Sequence, residues 1–470
     1  MTEDRLLARI SDLARHFLES LPQRPVGARA DLSSLRRALG GPLSAEGADA
    51  ADVVEHLAAA ADPGLVASAG PRYFGFVIGG SLPAALAADW LASTWDQDAG
   101  LYACGPAAAV VEEVAAGWLL DLLALPPTAS VGLVTGGQMA NFTGLAAARH
   151  AVLARAGWDV EEDGLTGAPA VNVVIGDEAH VTILTALRML GLGSRRPVRV
   201  ATDGQGRMRA DELRRALAPL QGPTIVCAQA GNVNTGAFDP VGEIADAAHE
   251  RGGWVHVDGA FGLWAAASRE LSHHTRGVER ADSWATDGHK WLNVPYDCGI
   301  AIVRDPAAHK TAMTGRAAYL VQSTGAERDP QDWTPEFSRR ARGFTVYAAL
   351  RSLGRDGVAS LVERCCRLAR RMADRLAAAP GVRILNEVAL NQVLVRFEPA
   401  GAGDHDAFTK AVIARVQREG TCWMAGTRWH GMDAMRISVS NWSTADADID
   451  RSAEAILAAA RAEAGQGRAS

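Results

Sequence analysis

A chain of 470 residues, 48% of them hydrophobic, with a formal charge of −7, is too long for one small module and long enough to bury a large core. We therefore expect a large domain and a smaller one sharing a cleft. The arginines are mixed with Ala, Leu and Glu as on helix faces, and no basic stripe interleaves with aromatics, which argues against nucleic acid as a partner.

The opening stretch MTEDRLLARISDLARHFLESL places acids and arginines at helical spacing without an uninterrupted apolar run, unlike a signal peptide. No later run is apolar enough to span a bilayer, so no membrane association is expected. The six cysteines, Cys104, Cys227, Cys298, Cys365, Cys366 and Cys422, show no C-x-x-C spacing and read as reduced thiols of a cytoplasmic protein.

Residues 1–70 alternate Ala/Leu-rich helical stretches with breaks at Pro22–Gly27 and Gly40–Pro42, and form an N-terminal helical arm in this reading. Pro71 to about Pro126 is mostly helical, with a buried helix predicted over Ala107–Leu125. Between Val131 and Arg304 the runs VGLVT, VNVVIG, VRVAT, TIVCAQ, WVHVDG and GIAIVRD recur between helical stretches. Several are apolar throughout, as strands covered on both faces are, and they predict an α/β domain over residues 71–345 built on a mostly parallel sheet. Ligands on such sheets sit beyond the carboxyl ends of the strands, where Thr135, Asp177, Asn232 and Asp258 fall. From Phe344 a long helix runs to Leu376. Strands at GVRIL, NQVLVRF and MRISVS and two further helices then make residues 346–470 a small α+β domain.

Four elements carry chemistry. In SWATDGHKWLNVPYDCG, Lys290 stands beside His289 and Trp291 just before a predicted strand; alone it reads as an ordinary surface lysine. Asp258 closes the apolar strand WVHVD about thirty residues upstream, where an Asp by itself is a cap or turn former. An imine-forming lysine and an acid for the pyridine nitrogen are the two groups a pyridoxal-5'-phosphate (PLP) site requires. In VTGGQMANFTG a strand runs through Gly136 and Gly137 into a helix, whose N-terminal N–H groups suit a phosphate; Gln138 and Asn141 are further candidates. In VVIGDEAHVT, His180 follows a buried strand and can lie over a pyridine ring, or simply line a loop. The His273–His274 pair lacks metal-ligand spacing, and no metal is assigned.

With these elements in this order the chain resembles the group II PLP-dependent amino-acid decarboxylases, which include the aromatic-L-amino-acid, glutamate and diaminobutyrate enzymes. The resemblance runs from PRYFGFVIGGSLPAALAADW through TGGQMAN, DEAHVT, GNVNTGAFDP, HVDGAFG and TDGHKW to EFSRRARGFTVYAALRSLG and MRISVSNWS. It implies a fold type I PLP enzyme, a homodimer with each site at the subunit interface, that decarboxylates an L-amino acid. Carried over by position, Lys290 is the Schiff-base lysine, Asp258 the pyridinium partner, Ala260 the residue under the ring and His180 the stacking imidazole. His289, Asp287, Gly137 and Gln138 match phosphate-side positions, and Arg436 matches an arginine of the small domain. Phe76–Ile78 matches a segment lining the substrate pocket. Phe76, Val77 and nearby Tyr102 incline the reading to an aromatic or apolar substrate, although core packing would use the same residues.

The chain departs from the family pattern in two places. Gly231-Asn232-Val233-Asn234 stands where most relatives read G-T-T, so an amide, Asn232, replaces a hydroxyl near the cofactor. In the loop between Tyr319 and Arg339 many members carry a tyrosine that protonates carbon after CO2 leaves, and here Pro330 holds that position. An aldehyde synthase, an oxidative deaminase or another carbon–carbon lyase is therefore the alternative outcome. A catalytically silent relative would have no chemical need for Lys290, Asp258 and His180 together.

Overall fold

The computed structural model describes residues 3–315, 327–401 and 403–466, and the chain divides into two compact units. One comprises residues 79–370 and 386–393; the other residues 1–78, 371–385 and 394–470.

The first unit is built on a seven-stranded sheet of β1 Ser130–Val134, β2 Asn172–Gly176, β3 Val198–Val200, β4 Thr224–Gln229, β5 Trp254–Asp258, β6 Ser283–Asp287 and β7 Gly299–Val303. The order is β1-β7-β6-β5-β4-β2-β3, and only β7 runs antiparallel to its neighbours. The six runs read as strands all form. The sequence reading missed β6, whose residues SWATD are entirely buried. Its one strongly apolar side chain is Trp284, which leaves too little hydrophobic signal for a strand.

The helix Gly137–Arg155 packs across β5, β6 and β7. Leu145, Ala147, Ala148 and Val152 meet Ile175, Ile225, Trp254 and Val303 in one buried core cluster. Burying each large aliphatic side chain there stabilises the fold by about 1.5–3 kcal/mol. The helix can lie this low because Gly144 faces His256 of β5: a Cβ at residue 144 would come within 2.8 Å of the imidazole. That approach also brings Asn141, one turn earlier, down to the sheet.

The second unit carries a four-stranded sheet, order β10-β11-β9-β8, from β8 Val382–Ile384, β9 Gln392–Phe397, β10 Ala425–Trp429 and β11 Met432–Ser438. Strand β10 was not read from the sequence. It is an edge strand with a half-exposed pattern, and AGTRW lacks alternation. The arm forms helices over Glu3–Ser20, Leu32–Leu39 and Ala50–Ala61, separated at the predicted Pro/Gly breaks. In the same unit Trp423 stacks on Tyr73 at 5.1 Å and meets Phe76 at 5.5 Å. Gly75 makes room for this cluster, since a Cβ there would lie 2.3 Å from the indole. Burial pushes the Tyr73 hydroxyl up to about 12.

Candidate active site

The carboxyl edge of the seven-stranded sheet gathers most of the predicted residues. Asp258 is the last residue of β5, and its register partner on the parallel neighbour β6 is Ala285, two residues before Asp287. Asp258 Oδ1 accepts the Ala260 N–H at 3.2 Å, and Oδ2 accepts the Asn141 side-chain N–H at 3.2 Å. Both oxygens are thus oriented by fixed donors, and the carboxylate is only 4% exposed.

Lys290 lies in the turn after β6. That turn is pinned by the Gly288 and Val294 amides, which donate to Cys298 O and Gly288 O, and by Gly79, whose N–H donates to His289 O. Gly79 sits so close that a Cβ would come within 2.0 Å of Lys290 O. The Lys290 ammonium pairs with Asp287 Oδ2 at 2.9 Å, so the acid beside the lysine is Asp287. Asp287 Oδ1 is buried without a hydrogen-bond partner, 3.4 Å from His289 Nε2. His289 Nδ1 accepts the Cys298 N–H at 3.1 Å and its ring stacks on Tyr296. Burial, the largest effect, lowers the His289 imidazole, with the Asp287 charge opposing.

Gly136 precedes the helix Gly137–Arg155 in an extended conformation, and no side chain caps that helix. Its first N–H groups, including those of Gly137 and Gln138, lack partners within the helix, as at any helix start. A Cβ on Gly137 would sit 2.7 Å from Asp287 Oδ2, and one on Gly136 3.2 Å from His289, so the glycines at this helix start approach the lysine turn closely.

His180 caps the helix Val181–Met189, its Nδ1 accepting the Thr182 N–H at 3.4 Å and lying 2.8 Å from Thr182 Oγ1. Thr182 Oγ1 also takes an N–H from Asn141 at 3.2 Å, which joins His180 to Asp258 through two side chains. Neither link was read from the sequence. A signal was present in His256, a polar residue inside the wholly buried strand WVHVD, because such a side chain needs a partner; that partner is Asn141 Oδ1 at 2.9 Å.

Asn232 is differently engaged from a cofactor-side amide. Its Oδ1 accepts from Asn234 N and Thr235 N, and its Nδ2 donates to Gln229 Oε1 and Glu178 O. The amide is spent holding its own loop and the backbone two residues before His180. Tyr102 N–H donates to Asp329 Oδ1, next to Pro330, which is buried at the head of a 3-10 turn. Tyr319 and the rest of residues 316–326 lie outside the described residues. Phe76, Val77 and Arg436 belong to the other unit. Phe76 and Val77 both adopt left-handed backbone conformations (φ 53° and 60°), a strained arrangement for a β-branched residue. Burial lowers the Arg436 guanidinium, whose Nε has no hydrogen-bond partner.

A strand-end carboxylate held by two donors, an uncapped glycine helix start and a lysine between them together fit a phosphorylated pyridine aldehyde. Residues 34–398 match the pyridoxal-dependent decarboxylase conserved domain. The chain belongs to the pyridoxal-dependent decarboxylase family. It is 29% identical to tryptophan decarboxylase 1 of Oryza sativa subsp. japonica over 81% of this chain and 78% of that protein. It is 26% identical to the aromatic-L-amino-acid decarboxylase of Bacillus atrophaeus over 92% of this chain and 89% of the relative. The crystal structure of Oryza sativa TDC with PLP and tryptamine superposes with a TM-score of 0.91 at 25% identity, covering 98% of this chain and 99% of that one. This decarboxylase is thus a PLP-dependent amino-acid carboxy-lyase of that group.

Proposed function

We propose that this decarboxylase acts on an aromatic or otherwise apolar L-amino acid, with Lys290, Asp258 and His180 meeting cofactor and substrate. The observation that carries the assignment is the juxtaposition across two neighbouring parallel strands: Asp258 closes β5, while Lys290, paired with Asp287, stands just past β6. PLP, when bound, supplies the electron sink that takes up the electron pair left on Cα as the carboxylate departs.

In this reading Lys290 Nζ holds the aldehyde and Asp258 holds the proton at the ring nitrogen. The N–H groups of Gly136, Gly137 and Gln138, with His289, take the phosphate, and Ala260 offers a small surface to the ring. Asp287 serves as counter-ion to Lys290, and Asn232 acts by holding the loop before His180. Phe76, Val77, Tyr102 and Arg436 are the substrate-side residues. An aromatic substrate is supported by the names of the two relatives and by Phe76, a 54% exposed aromatic on strained backbone. The arm exposes Leu32, Leu39, Leu43, Val53 and Leu57, apolar surface that a second copy would cover, which supports a homodimer. Free cysteines support a cytoplasmic location.

A second reading rests on Pro330, which has neither O–H nor N–H to give: with oxygen as oxidant, the products become aldehyde, ammonia, CO2 and peroxide in place of amine and CO2. The test incubates PLP-loaded protein with each of the twenty common amino acids and measures all these products. CO2 with equal amine from an aromatic substrate is expected, and equal aldehyde and peroxide with little amine would establish the second reading. Lys290→Ala is expected to lose the visible cofactor band and all turnover; if both survive, the assignment of Lys290 is wrong.

A further inference from the structure

Beneath the site runs a chain of buried polar side chains, and the chemistry of its members sets its direction. The Trp254 indole N–H can only donate, and it donates to Ser283 Oγ at 2.9 Å. Ser283 is fully buried, and among the described residues the acceptor left for its own hydrogen is His256 Nδ1, 2.8 Å away. His256 then carries its proton on Nε2 and donates to Asn141 Oδ1 at 2.9 Å. Burial pushes this imidazole down to about 3, so it has a single proton to place. With Asn141 Oδ1 so occupied, its two amide hydrogens go to Asp258 Oδ2 and Thr182 Oγ1, each at 3.2 Å. The flipped amide would set its oxygen against the Asp258 carboxylate and leave two acceptors face to face.

The same direction continues to His180. Thr182 Oγ1 accepts from Asn141, so its hydrogen is free for His180 Nδ1 at 2.8 Å. The Thr182 backbone N–H, which cannot accept, points at the same nitrogen at 3.4 Å. Two donors converge on Nδ1, which places the proton on Nε2.

We propose that Asn141 is the positioning residue of the reaction centre: oriented by His256, its amide fixes the Asp258 carboxylate with one N–H and, through Thr182, fixes His180 as its Nε2–H tautomer with the other. The inference rests on the reading of Asp258 and His180 as cofactor-side residues. In that setting Asp258 keeps its remaining lone pairs for the ring nitrogen, and His180 presents a donor, Nε2–H, in place of an acceptor. Gly144 is part of the device, since a side chain there would push the helix off His256.

The test is nitrogen NMR of the full-length protein labelled with 15N in the histidine rings, with and without added PLP, and with the His180 signals assigned by their loss in His180→Gln. At pH 7.5 the wild type is expected to show His180 as the Nε2–H tautomer in both states. Thr182→Val keeps the shape and removes the hydroxyl, and is expected to give a mixture of tautomers; Thr182→Ser is expected to restore the wild-type pattern. Asn141→Asp, which sets a second carboxylate against Asp258, is expected to weaken PLP binding at least tenfold. The Thr182 pair decides the matter even if Asn141→Asp fails to fold. A wild-type His180 protonated on Nδ1, or a Thr182→Val spectrum unchanged from wild type, overturns the proposal. If the Nε2–H pattern and its Thr182 dependence hold in protein that binds no PLP, the relay stands and the cofactor reading falls.

Discussion

Arg339→Met is expected to destabilise the unit built on the seven-stranded sheet by about 3–5 kcal/mol, through a charge left alone in the interior. Arg339 and Glu112 side chains are each 1% exposed and joined at 2.8 Å. The same guanidinium donates to Ala99 O at 3.0 Å and to Leu133 O, at the inner end of β1. Among the described residues its removal leaves the Glu112 carboxylate with Arg328 alone, 3.8 Å away, and strips two buried carbonyls of a donor at about 1 kcal/mol each. Glu112→Gln leaves two buried cations facing each other and should cost a similar amount. The double variant Glu112→Leu/Arg339→Met removes both charges, so its loss should fall short of the summed single losses by at least about 2 kcal/mol. Urea unfolding followed by tryptophan fluorescence, at one protein and one PLP concentration, measures all three. Single losses below about 1 kcal/mol, or strict additivity, would refute the claim that either substitution leaves an uncompensated charge in the interior.

Two further outcomes follow from the site and the core. Gly137→Ala should weaken PLP binding by roughly tenfold or more while leaving the fold intact, because the new methyl would sit 2.7 Å from Asp287 Oδ2 where the phosphate-side backbone approaches the lysine turn; absorbance titration with PLP reads this, and wild-type affinity would remove Gly137 from the cradle. Stability should fall as pH drops from about 6.5 towards 4. Burial holds His256 and His309 down at about 3, so the unfolded chain binds two protons there that the folded one refuses, while buried Asp239, raised to about 6, takes back almost one. The net is about one proton at pH 5, and half-exposed His274, lowered to about 4, adds up to nearly one more, so the slope lies between about 1.4 and 2.7 kcal/mol per pH unit. Urea midpoints from pH 4.5 to 7 should show this slope, and His309→Leu should flatten it at pH 5; an unchanged slope in that variant would exclude His309 as a source.

The scaffold was legible wherever a strand is buried on both faces, because Val and Ile then fill every position. Strand β6 escaped because polar residues hold both its ends: Ser283 opens it and meets His256, and Asp287 closes it and pairs with Lys290. Lys290 and Asp258 were legible as residue types with a stated spacing, yet the direction of the side chains around them was not. Asn232 has the atoms of a cofactor ligand, but all of them turn inward onto Gln229, Glu178 and its own turn. The link from Asn141 to His256 spans 115 residues, and no local periodicity encodes it. It exists because Gly144 lets one helix lie low on β5, a property visible only once helix and sheet are packed.

The remaining question at this centre is the source of the proton for the carbon that has lost CO2. Pro330 holds no hydrogen on a heteroatom, and in the proposed arrangement His180 is neutral with Nδ1 already accepting two donors. A neutral imidazole Nε2–H is a hydrogen-bond donor but a far weaker acid than an imidazolium, so it orients a carboxylate better than it protonates carbon. We propose Lys290 as the donor: its Nζ is held 2.9 Å from Asp287 Oδ2. Asp287 thus holds that amine in place in the turn after β6. Amine formation and aldehyde formation then differ by whether that transfer outruns oxygen, which makes the amine-to-aldehyde ratio a direct reading of the Lys290–Asp287 pair.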